Sequence, residues 1–569
     1  MKLKKNRILL AALALSMAGV ACQPTQQQSA PTELAQTSEM DALYEGLEFD
    51  MPRVQEASFP DYKVSIADFG AIGDGLVDNS EAIAKAIDDV ASNGGGTVVI
   101  PRGLWLTGPI TMKSNINLHA AAGALVLFST DKSVYPLIET SFEGLDTYRL
   151  TSPINGKGLE NIAITGTGTF DGNGQVWRAV KKGKMSPSQW SKLLKSGGVL
   201  SDNGNTWYPS QAYKDANALT KNFNVAPFET REEFEAIRDF LRPVMLSLVE
   251  CNKVLLDGPT FQNSPAWNLH PLMCENVILR NLNIRNPWYS QNGDGLDLES
   301  CKNALVYNNT FDVGDDAICF KSGKDEDGRK RGMPTENVIV KNNVVYHGHG
   351  GFVVGSEMSG GMNNVHVSNC TFIGTDTGLR FKSTRGRGGV VENIYISNID
   401  MINIPTEAIR FNLFYGGQSP VLEEGQEDKM GTKAEPVPVT EETPSFRNIH
   451  MKNITSTGSK AAAFFMGLPE MKLQNVTLEN AMLDAEKGIT MVDVDGITLK
   501  NVKLVNRKGT SVVIYNGANV DIDAQIESAG NEPIVKVLGA ETKAVSLKTN
   551  LEEGQVSVSE SLKAEVTFQ

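Results

Sequence analysis

TENVIVKNNVVYH (residues 335–347) is one copy of a repeat that runs through the second half of this chain. Each copy has an asparagine, then a run in which apolar residues alternate with others, then a second asparagine five residues after the first. The clearest further copies are CENVILRNLNIRN (274–286), CKNALVYNNTFDV (301–313), MNNVHVSNCTFIG (362–374), VENIYISNIDMIN (391–403), FRNIHMKNITSTG (446–458) and LQNVTLENAMLDA (473–485). Such a chain is expected to build its core from stacked units.

The spacing of the copies predicts an all-β fold, a right-handed parallel β-helix. Successive copies start roughly 21 to 34 residues apart where no long insertion intervenes, which leaves room for only a few short strands per turn. Val338 and Val340 illustrate the alternation of a strand, and no helix-length amphipathic run separates consecutive copies. Asparagine suits the turns because it tolerates left-handed backbone, and stacked asparagines would form a ladder. A leucine-rich repeat is the alternative, but its sustained L-x-x-L-x-L pattern is missing.

Residues 58–569 are predicted to form one β-helical catalytic domain. A short N-terminal capping helix is expected over Ala82–Val90, with Asp78 as N-cap and Glu81 completing a capping box. Such a helix would cover the open edge of the first coil. Insertions are expected at about 178–240, with a helix over Glu229–Leu241, and at about 412–445. The first insertion either walls one end of a substrate groove or is a decoration without a role.

The N-terminus has the pattern of an export signal. Basic residues between Lys2 and Arg7 precede an apolar stretch, Ile8–Val20, that is too short to span a bilayer. Small residues then lead to Cys22, which is typical of a bacterial lipoprotein signal (1–21) followed by a flexible tether (22–57). An ordinary cleaved signal is the alternative. We therefore expect an exported protein, periplasmic or anchored to the outer membrane, that touches a membrane only through a lipid on Cys22.

Composition excludes one class of partner and favours buried thiols. The net charge of −14 argues against a nucleic-acid binder, which needs a basic surface. Besides Cys22, the chain has Cys251, Cys274, Cys301, Cys319 and Cys370, an odd number for disulfides in an oxidising compartment. We expect most of them to be small buried hydrophobic residues, and we expect a monomer.

Four segments with chemically reactive side chains fall on consecutive repeats: QNGDGLD (291–297), GDDAICFKSG (314–323), GHGGFVVGSE (348–357) and LRFKS (379–383). Asp315 follows Asn303 by 12 residues, and His349 follows Asn337 by the same 12 residues, so both belong in one column of the helix. Asp294 lies at a different distance in sequence from the asparagine of its own repeat, and extra residues before Asp294 can account for the difference. Stacked coils are about 4.8 Å apart, so the four segments are predicted to converge within about 15 Å.

The residue types in these segments suit glycoside hydrolysis. One carboxylic acid must protonate the leaving oxygen while a carboxylate activates water, and Asp294, Asp315 and Asp316 supply three candidates. Neighbouring carboxylates repel each other, so the pKa of one should rise. Arg380 and Lys382 supply the positive charge needed to bind an anionic sugar.

The motifs NGDG, GDD, GHG and RFK, in this order, resemble the polygalacturonases of glycoside hydrolase family 28 over roughly residues 60–420. The resemblance implies an inverting hydrolase of α-1,4-linked galacturonic acid in pectin or oligogalacturonides, without a metal or cofactor. It implies that Asp315 is the general acid, that Asp294 and Asp316 activate water, and that His349 assists. The substrate would be bound by Asn292, Arg380, Lys382 and His270, although His270 and Trp267 suit the core equally well.

The departures from the family pattern leave the charged positions intact. Gly293 stands where the family has threonine, and Phe381 stands where it has isoleucine. The segments GHGGFVVGSEMSGG and GLRFKSTRGRGG resemble the exo-acting bacterial branch, and the insertion at 178–240 fits a blocked groove. Exo action is therefore favoured over endo action. Trp288 and Tyr289 are candidates for a sugar-stacking platform.

Three other functions compete with this prediction. Relatives hydrolyse rhamnogalacturonan or xylogalacturonan, and the motifs do not fix the sugar beyond the cleaved residue. A calcium-dependent pectate lyase shares the fold but eliminates instead of hydrolysing. A non-catalytic β-helix, such as an adhesin, is the third.

Overall fold

The computed structural model describes residues 40–220, 224–415, 435–529 and 533–569. The chain divides into two compact units, Met1–Gly46 and Leu47–Gln569, and the second contains the β-helix. The predicted signal at 1–21, Cys22 and most of the predicted tether lie outside the described residues. Among the helices that are described, none is long and apolar enough to cross a membrane.

The fold is the predicted parallel β-helix, in which each coil adds strands to three parallel stacks, here called sheets A, B and C. The early strands of sheet A are Lys63–Ser65, Gly96–Ile100, Ile116–Ala120, Glu160–Gly166, Asn252–Asp257, Glu275–Arg280, Lys302–Tyr307 and Thr335–Lys341. Those of sheet B are Asp74–Asp78, Gly103–Thr107, Ala124–Phe128, Thr169–Asp171, Thr260–Gln262, Asn283–Arg285, Thr310–Asp312 and Val344–Val345.

Sheet C carries the candidate site. Its strands are Ile110–Thr111, Ile154–Lys157, Leu246–Val249, Leu269–Leu272, Leu296–Glu299, Ile318–Lys321, Gly350–Val354, Thr377–Lys382 and Glu407–Asn412. Later coils have longer strands that pass through the corners: Met362–Ile373, Val390–Ile402, Ser445–Met466, Leu473–Asn506 and Val512–Ser528. The last strands are Val535–Leu538, Lys543–Thr549, Val556–Val558 and Val566–Phe568.

Asparagines hold the corners of the coils, as predicted. The repeat asparagines have positive φ, for example 56° at Asn337 and 58° at Asn342. Their side chains bond from coil to coil: Asn337 Nδ2 donates to Asn303 Oδ1 at 3.3 Å, and Asn364 Nδ2 donates to Asn337 Oδ1 at 3.1 Å. The interior is filled by the alternate apolar residues, and the five described cysteines are buried and free, as expected.

The capping helix spans Ser80–Ser92 and packs Ile83, Ile87 and Val90 against the first coil. Its capping differs from the prediction. Asn79 is the N-cap residue, while the Asp78 carboxylate accepts a hydrogen bond from the Ser80 backbone N–H at 2.8 Å. Glu81 pairs with Lys85 at 2.6 Å instead of closing a capping box.

The first predicted insertion contains helices Pro187–Lys195, Gln211–Leu219 and Arg231–Ala236 and short antiparallel strands Val180–Lys181, Val199–Leu200 and Thr206–Tyr208. The helix expected over Glu229–Leu241 is shorter because Ile237 leaves the helical conformation. The second insertion, at 412–445, lies largely outside the described residues. An additional antiparallel hairpin, Leu137–Phe142 with Leu145–Leu150, was not predicted.

Residues 48–58 lie along the coils, so the flexible tether predicted for residues 22–57 is too long at its C-terminal end. Glu48 Oε2 is 2.8 Å from His366 Nδ1, and Arg280 Nη2 donates to Glu56 Oε1 at 2.7 Å. The Ser58 backbone N–H donates to Asn161 Oδ1 at 2.9 Å.

Candidate active site

Asp294, Asp315 and Asp316 converge on one point beside sheet C. One carboxylate oxygen from each residue lies within 4.8 Å of the others. Asp294 is 4% exposed and Asp316 is 1% exposed, whereas Asp315 is half-buried. The sequence-distant carboxylates therefore form one cluster, with Asp315 as its most accessible member.

The register of sheet C explains this convergence. Leu296 pairs with Ile318, so Asp294 precedes its strand by the same two positions as Asp316. The His349 backbone N–H donates to the Asp315 carbonyl at 2.8 Å, which confirms that these two residues share a column. Gly314 makes the sharp turn possible, since a Cβ there would lie 2.5 Å from the Pro287 carbonyl oxygen.

Arg380 and Lys382 bind the Asp316 carboxylate from one side. Arg380 Nη1 donates to Asp316 Oδ1 at 3.0 Å, and Lys382 Nζ donates to Asp316 Oδ2 at 2.6 Å. Burial alone would raise the pKa of Asp316, but Lys382 and Arg380 hold it well below its usual range. Asp316 is therefore ionised throughout the ordinary pH range. The Tyr415 ring lies 5.0 Å from Lys382 Nζ and 5.7 Å from the Arg380 guanidinium.

Asp294 has the opposite electrostatic environment. Burial, together with the negative charges of Asp297, Asp315 and Asp316, raises the pKa of Asp294 well above its usual value. Its Oδ1 is buried without a hydrogen-bond partner in the described structure. The pKa of Asp294 is therefore raised while that of Asp316 is lowered, so Asp294 is the stronger proton acceptor of the two.

His349 is held at the rim of the cluster by Asp376, which the sequence analysis did not identify. His349 Nδ1 lies 2.7 Å from Asp376 Oδ2, and both side chains are a little over two-fifths exposed. This contact lowers the pKa of Asp376, chiefly through the hydrogen bond with His349. The only sequence signal was the polar turn GTDTG (374–378) on the next coil.

Asn292 lies next to Asp294 and has a left-handed backbone, φ 52°. Its side-chain oxygen accepts a hydrogen bond from Arg242 Nη2 at 2.9 Å, so a residue at the end of the first insertion fixes its orientation. The departure at Gly293 also has a steric reason. A Cβ at Gly293 would lie 1.8 Å from Ser290 Oγ, so the turn has no space for threonine.

His270 was predicted to bind substrate, and the structure corrects that prediction. The residue is 1% exposed, and its Nε2 lies 2.9 Å from Glu299 Oε2. Its ring also meets the ring of Trp267 edge-on at 5.2 Å, and Trp267 is itself buried. His270 does point outward from sheet C, but other segments cover that part of the sheet.

A buried ionic network lies on this covered surface. Lys321 Nζ donates to Glu357 Oε2 at 2.8 Å and is 3.6 Å from Asp297 Oδ1. Arg331 Nη1 donates to Glu299 Oε1 at 2.7 Å. Because these charges are paired with each other beneath the site, they fix the strands that carry the catalytic cluster.

The unpredicted hairpin crosses sheet C on the N-terminal side of the cluster. Phe142 stacks on Trp267 with ring centroids 4.6 Å apart. At the tip, the Lys324 backbone N–H donates to the Gly144 carbonyl at 3.0 Å, beyond the end of strand Ile318–Lys321. The hairpin is also bonded to the first insertion, since Arg149 Nη1 donates to the Asn224 carbonyl at 3.2 Å. The hairpin thus contacts sheet C just before strand Leu269–Leu272 and just after strand Ile318–Lys321.

The chain is similar in sequence to known families and proteins. The model of glycosyl hydrolases family 28 matches residues 239–487, and a model described as rhamnogalacturonase A/epimerase, pectate lyase-like, matches residues 63–135. The chain is 27% identical to a probable polygalacturonase of Vitis vinifera over 450 aligned residues. The alignment covers 76% of this chain and 78% of that protein. It is 30% identical to an exo-poly-alpha-D-galacturonosidase of Dickeya chrysanthemi over 368 aligned residues. That alignment covers 63% of this chain and 58% of the Dickeya protein.

Among solved structures, the crystal structure of a hyperthermoactive exopolygalacturonase from Thermotoga maritima superimposes with a TM-score of 0.63 at 31% identity. The superposition covers 85% of this chain and 96% of that one.

Proposed function

Because this chain belongs to family 28 of the glycosyl hydrolases, we propose that it hydrolyses α-1,4-linked galacturonic acid and releases it from the end of a pectic chain. The observation that carries the proposal is the cluster of Asp294, Asp315 and Asp316, whose oxygens lie within 4.8 Å of one another. Arg380 and Lys382 lie beside it and supply the charge that an anionic sugar requires.

In this proposal Asp315 gives its proton to the leaving oxygen, because it is the most accessible of the three. Asp316, ionised by its two cations, orients the attacking water together with Asp294. Asp294 starts the cycle ionised and takes the water's proton, for which its raised pKa makes it the favourable acceptor. Transfer of that proton to Asp315 then restores the starting state, so protons balance over the cycle.

We take the hairpin to close one end of the groove over sheet C, and this supports exo action. A chain that binds across sheet C meets the hairpin Leu137–Phe142/Leu145–Leu150, so its terminal sugar must lie against that wall. The wall is anchored at its tip, through Phe142 on Trp267 and through Gly144 to Lys324. An endo-acting enzyme needs a groove open at both ends, and this groove is not.

The spacing of the carboxylates does not by itself predict the stereochemistry. Inverting glycosidases usually hold their two carboxyl groups about 6.5–9.5 Å apart. The nearest oxygens here lie within 4.8 Å, and three carboxylates share the site. Inversion is therefore the part of the proposal that comes from the family resemblance, and it is directly measurable.

A lyase is disfavoured by what surrounds Asp316. A calcium ion needs carboxylate oxygens, but both oxygens of Asp316 are bound by Lys382 and Arg380. Activity should be unchanged in excess chelator. Loss of activity that calcium restores, with products that absorb ultraviolet light, would establish a lyase instead.

The experiment compares homogalacturonan, rhamnogalacturonan and xylogalacturonan as substrates for the wild-type protein and Asp315→Asn. Rapid release of monomeric galacturonic acid from homogalacturonan, reduced at least ~100-fold in the variant, is the expected result. Asp523→Asn, at an exposed site paired with Lys548, is the matched control and should be fully active. Faster hydrolysis of one of the branched pectins would assign the related activity.

We also propose that the chain is an exported lipoprotein and a monomer. The support is the run from Lys2 through the apolar Ile8–Val20 to Cys22. Labelling of the expressed protein with a radioactive fatty acid, lost in Cys22→Ala, is the expected result, and light scattering should give the monomer mass. Equal labelling of both forms, or none, contradicts the anchor.

A further inference from the structure

A separate cleft of about 700 Å³ lies on the turns that join sheet B to sheet C. We call it the turn cleft. Its chemically important residues are Lys184, Arg285, Trp288, Asp312, His347 and Asp376. Lys184 comes from the first insertion, and the others come from the turns between sheet B and sheet C of successive coils. Asn263 and Gly374 mark its two ends, so it extends across neighbouring coils parallel to the helix axis.

The turn cleft adjoins the catalytic cluster through shared backbone. Gly314, which lines it, immediately precedes Asp315. Asn286, another lining residue, donates from Nδ2 to the Asp294 carbonyl at 3.2 Å. Asp376 forms part of its wall and contacts His349 Nδ1 at 2.7 Å. A ligand in this cleft would lie directly beside the reacting groups.

Trp288 supplies a fixed aromatic surface in the cleft. Its side chain is 44% exposed, although tryptophan is usually more buried. The adjacent Tyr289 packs against Trp190 and Trp207 of the first insertion and meets the Trp288 ring edge-on at 5.7 Å. The platform is thus supported from behind, and its exposed face suits the flat C–H face of a sugar ring.

Two exposed cations of the cleft can bind an anion. Arg285 is exposed and makes no ion pair within the described residues. Lys184 is also exposed and is close enough to lower the pKa of Asp376, after the larger effect of His349. The carboxylates Asp312 and Asp376 are each engaged by a histidine, His347 at 2.9 Å and His349 at 2.7 Å. The cations are therefore the groups left to bind a ligand.

We propose that the turn cleft binds the part of an acidic pectic chain that continues beyond the two sugars flanking the cleaved bond, with a sugar ring on Trp288 and a uronate carboxylate on Arg285. The assignment rests on the proposed function, because it takes the catalytic pocket to hold those two sugars. The hairpin closes the groove on the other side of that pocket, so the remaining chain must leave along another surface. The turn cleft extends across several coils, carries Trp288 and Arg285, and adjoins His349 through Asp376.

The test measures KM and kcat on galacturonate oligomers from two to six residues, for the wild type and for Arg285→Gln/Trp288→Ala. A dimer fills only the catalytic pocket, so its constants should change less than about twofold. The KM for the hexamer should rise about 10-fold, the scale of about 1.4 kcal/mol of lost binding. Phe568→Ala, which removes an aromatic ring of similar exposure (45%), is the matched control.

A binding measurement separates this proposal from the proposed function. Titration of hexagalacturonate into Asp315→Asn should show binding that weakens about 10-fold when Arg285→Gln/Trp288→Ala is added. That result supports the cleft even if the wild-type protein fails to hydrolyse any galacturonan. Equal KM changes for dimer and hexamer, or titrations that do not respond to the double substitution, overturn it.

Discussion

His349 Nδ1 lies 2.7 Å from Asp376 Oδ2 on the next coil, at the rim of the carboxylate cluster. The contact engages Nδ1 of His349 and leaves Nε2 available on the other side of the ring. Asp376 is thus a positioning residue for a histidine that lies beside the proposed acid.

Asp376→Asn should reduce kcat about 10-fold, less than the ~100-fold or greater loss expected for a group that transfers the proton itself. The amide keeps the size of the side chain but removes the negative charge that faces His349. The pH profile should also change shape, whereas KM for digalacturonate should stay within about twofold. An unchanged profile, with kcat and KM at wild-type values, would show that the contact is only structural.

Lys382→Met should destabilise the protein by about 2 kcal/mol at pH 7, because it removes one of the two cations from a buried carboxylate. Chemical denaturation measures this loss. The folded pKa of Asp316 is lowered, so its stabilising contribution is present above the unfolded value of about 3.9 and is lost as the pH falls below it. The difference between wild type and variant should therefore shrink in acid. The double variant Asp316→Asn/Lys382→Met should recover part of the stability lost in Lys382→Met. If the stability difference between the wild type and Lys382→Met instead grows in acid, the ion pair is contradicted.

Asp294→Asn should abolish activity and yet stabilise the fold. The folded pKa of Asp294 is raised, so the wild-type residue loses stability as the pH rises through its unfolded value. Asparagine carries no such cost. The free energy of unfolding of the variant should therefore exceed that of the wild type by about 1 kcal/mol or more at pH 7, and by little at pH 4. Denaturation curves at both pH values test this prediction. A variant that is less stable at pH 7 would mean that the carboxylate is compensated by a partner.

Shortening the hairpin tip by deleting residues 141–146 should convert a product of monomers into a mixture of oligomers. The deletion removes Phe142 from Trp267 and breaks the bond to Lys324, so the closed end of the groove opens. Products are resolved by chromatography, with melting temperature as a check on folding. A folded variant that still releases only monomers would place the barrier elsewhere.

The asparagine repeat was sufficient to predict the fold and the phase of the site. Counting from Asn303 and Asn337 placed Asp315 and His349 in one column, and the backbone contact between them confirms it. This works because a parallel β-helix imposes one register on all its coils, so sequence spacing translates directly into position.

The errors arise where segments from different coils meet. His270 faces outward on sheet C as the alternation requires, but it is buried against Glu299 and Trp267, and Phe142 of the hairpin stacks on Trp267. Nothing in the residues near His270 encodes that cover. Asp376 was missed for the same reason, since a polar turn residue has no distinctive pattern until the neighbouring coil brings His349 next to it.

The most direct test of the central claim follows the first product of digalacturonate hydrolysis by proton NMR. The account predicts saturated galacturonic acid that appears first as the β anomer, and at least a ~100-fold slower reaction in both Asp315→Asn and Asp316→Asn. An unsaturated product, an α anomer formed first, or full activity in either variant would contradict it.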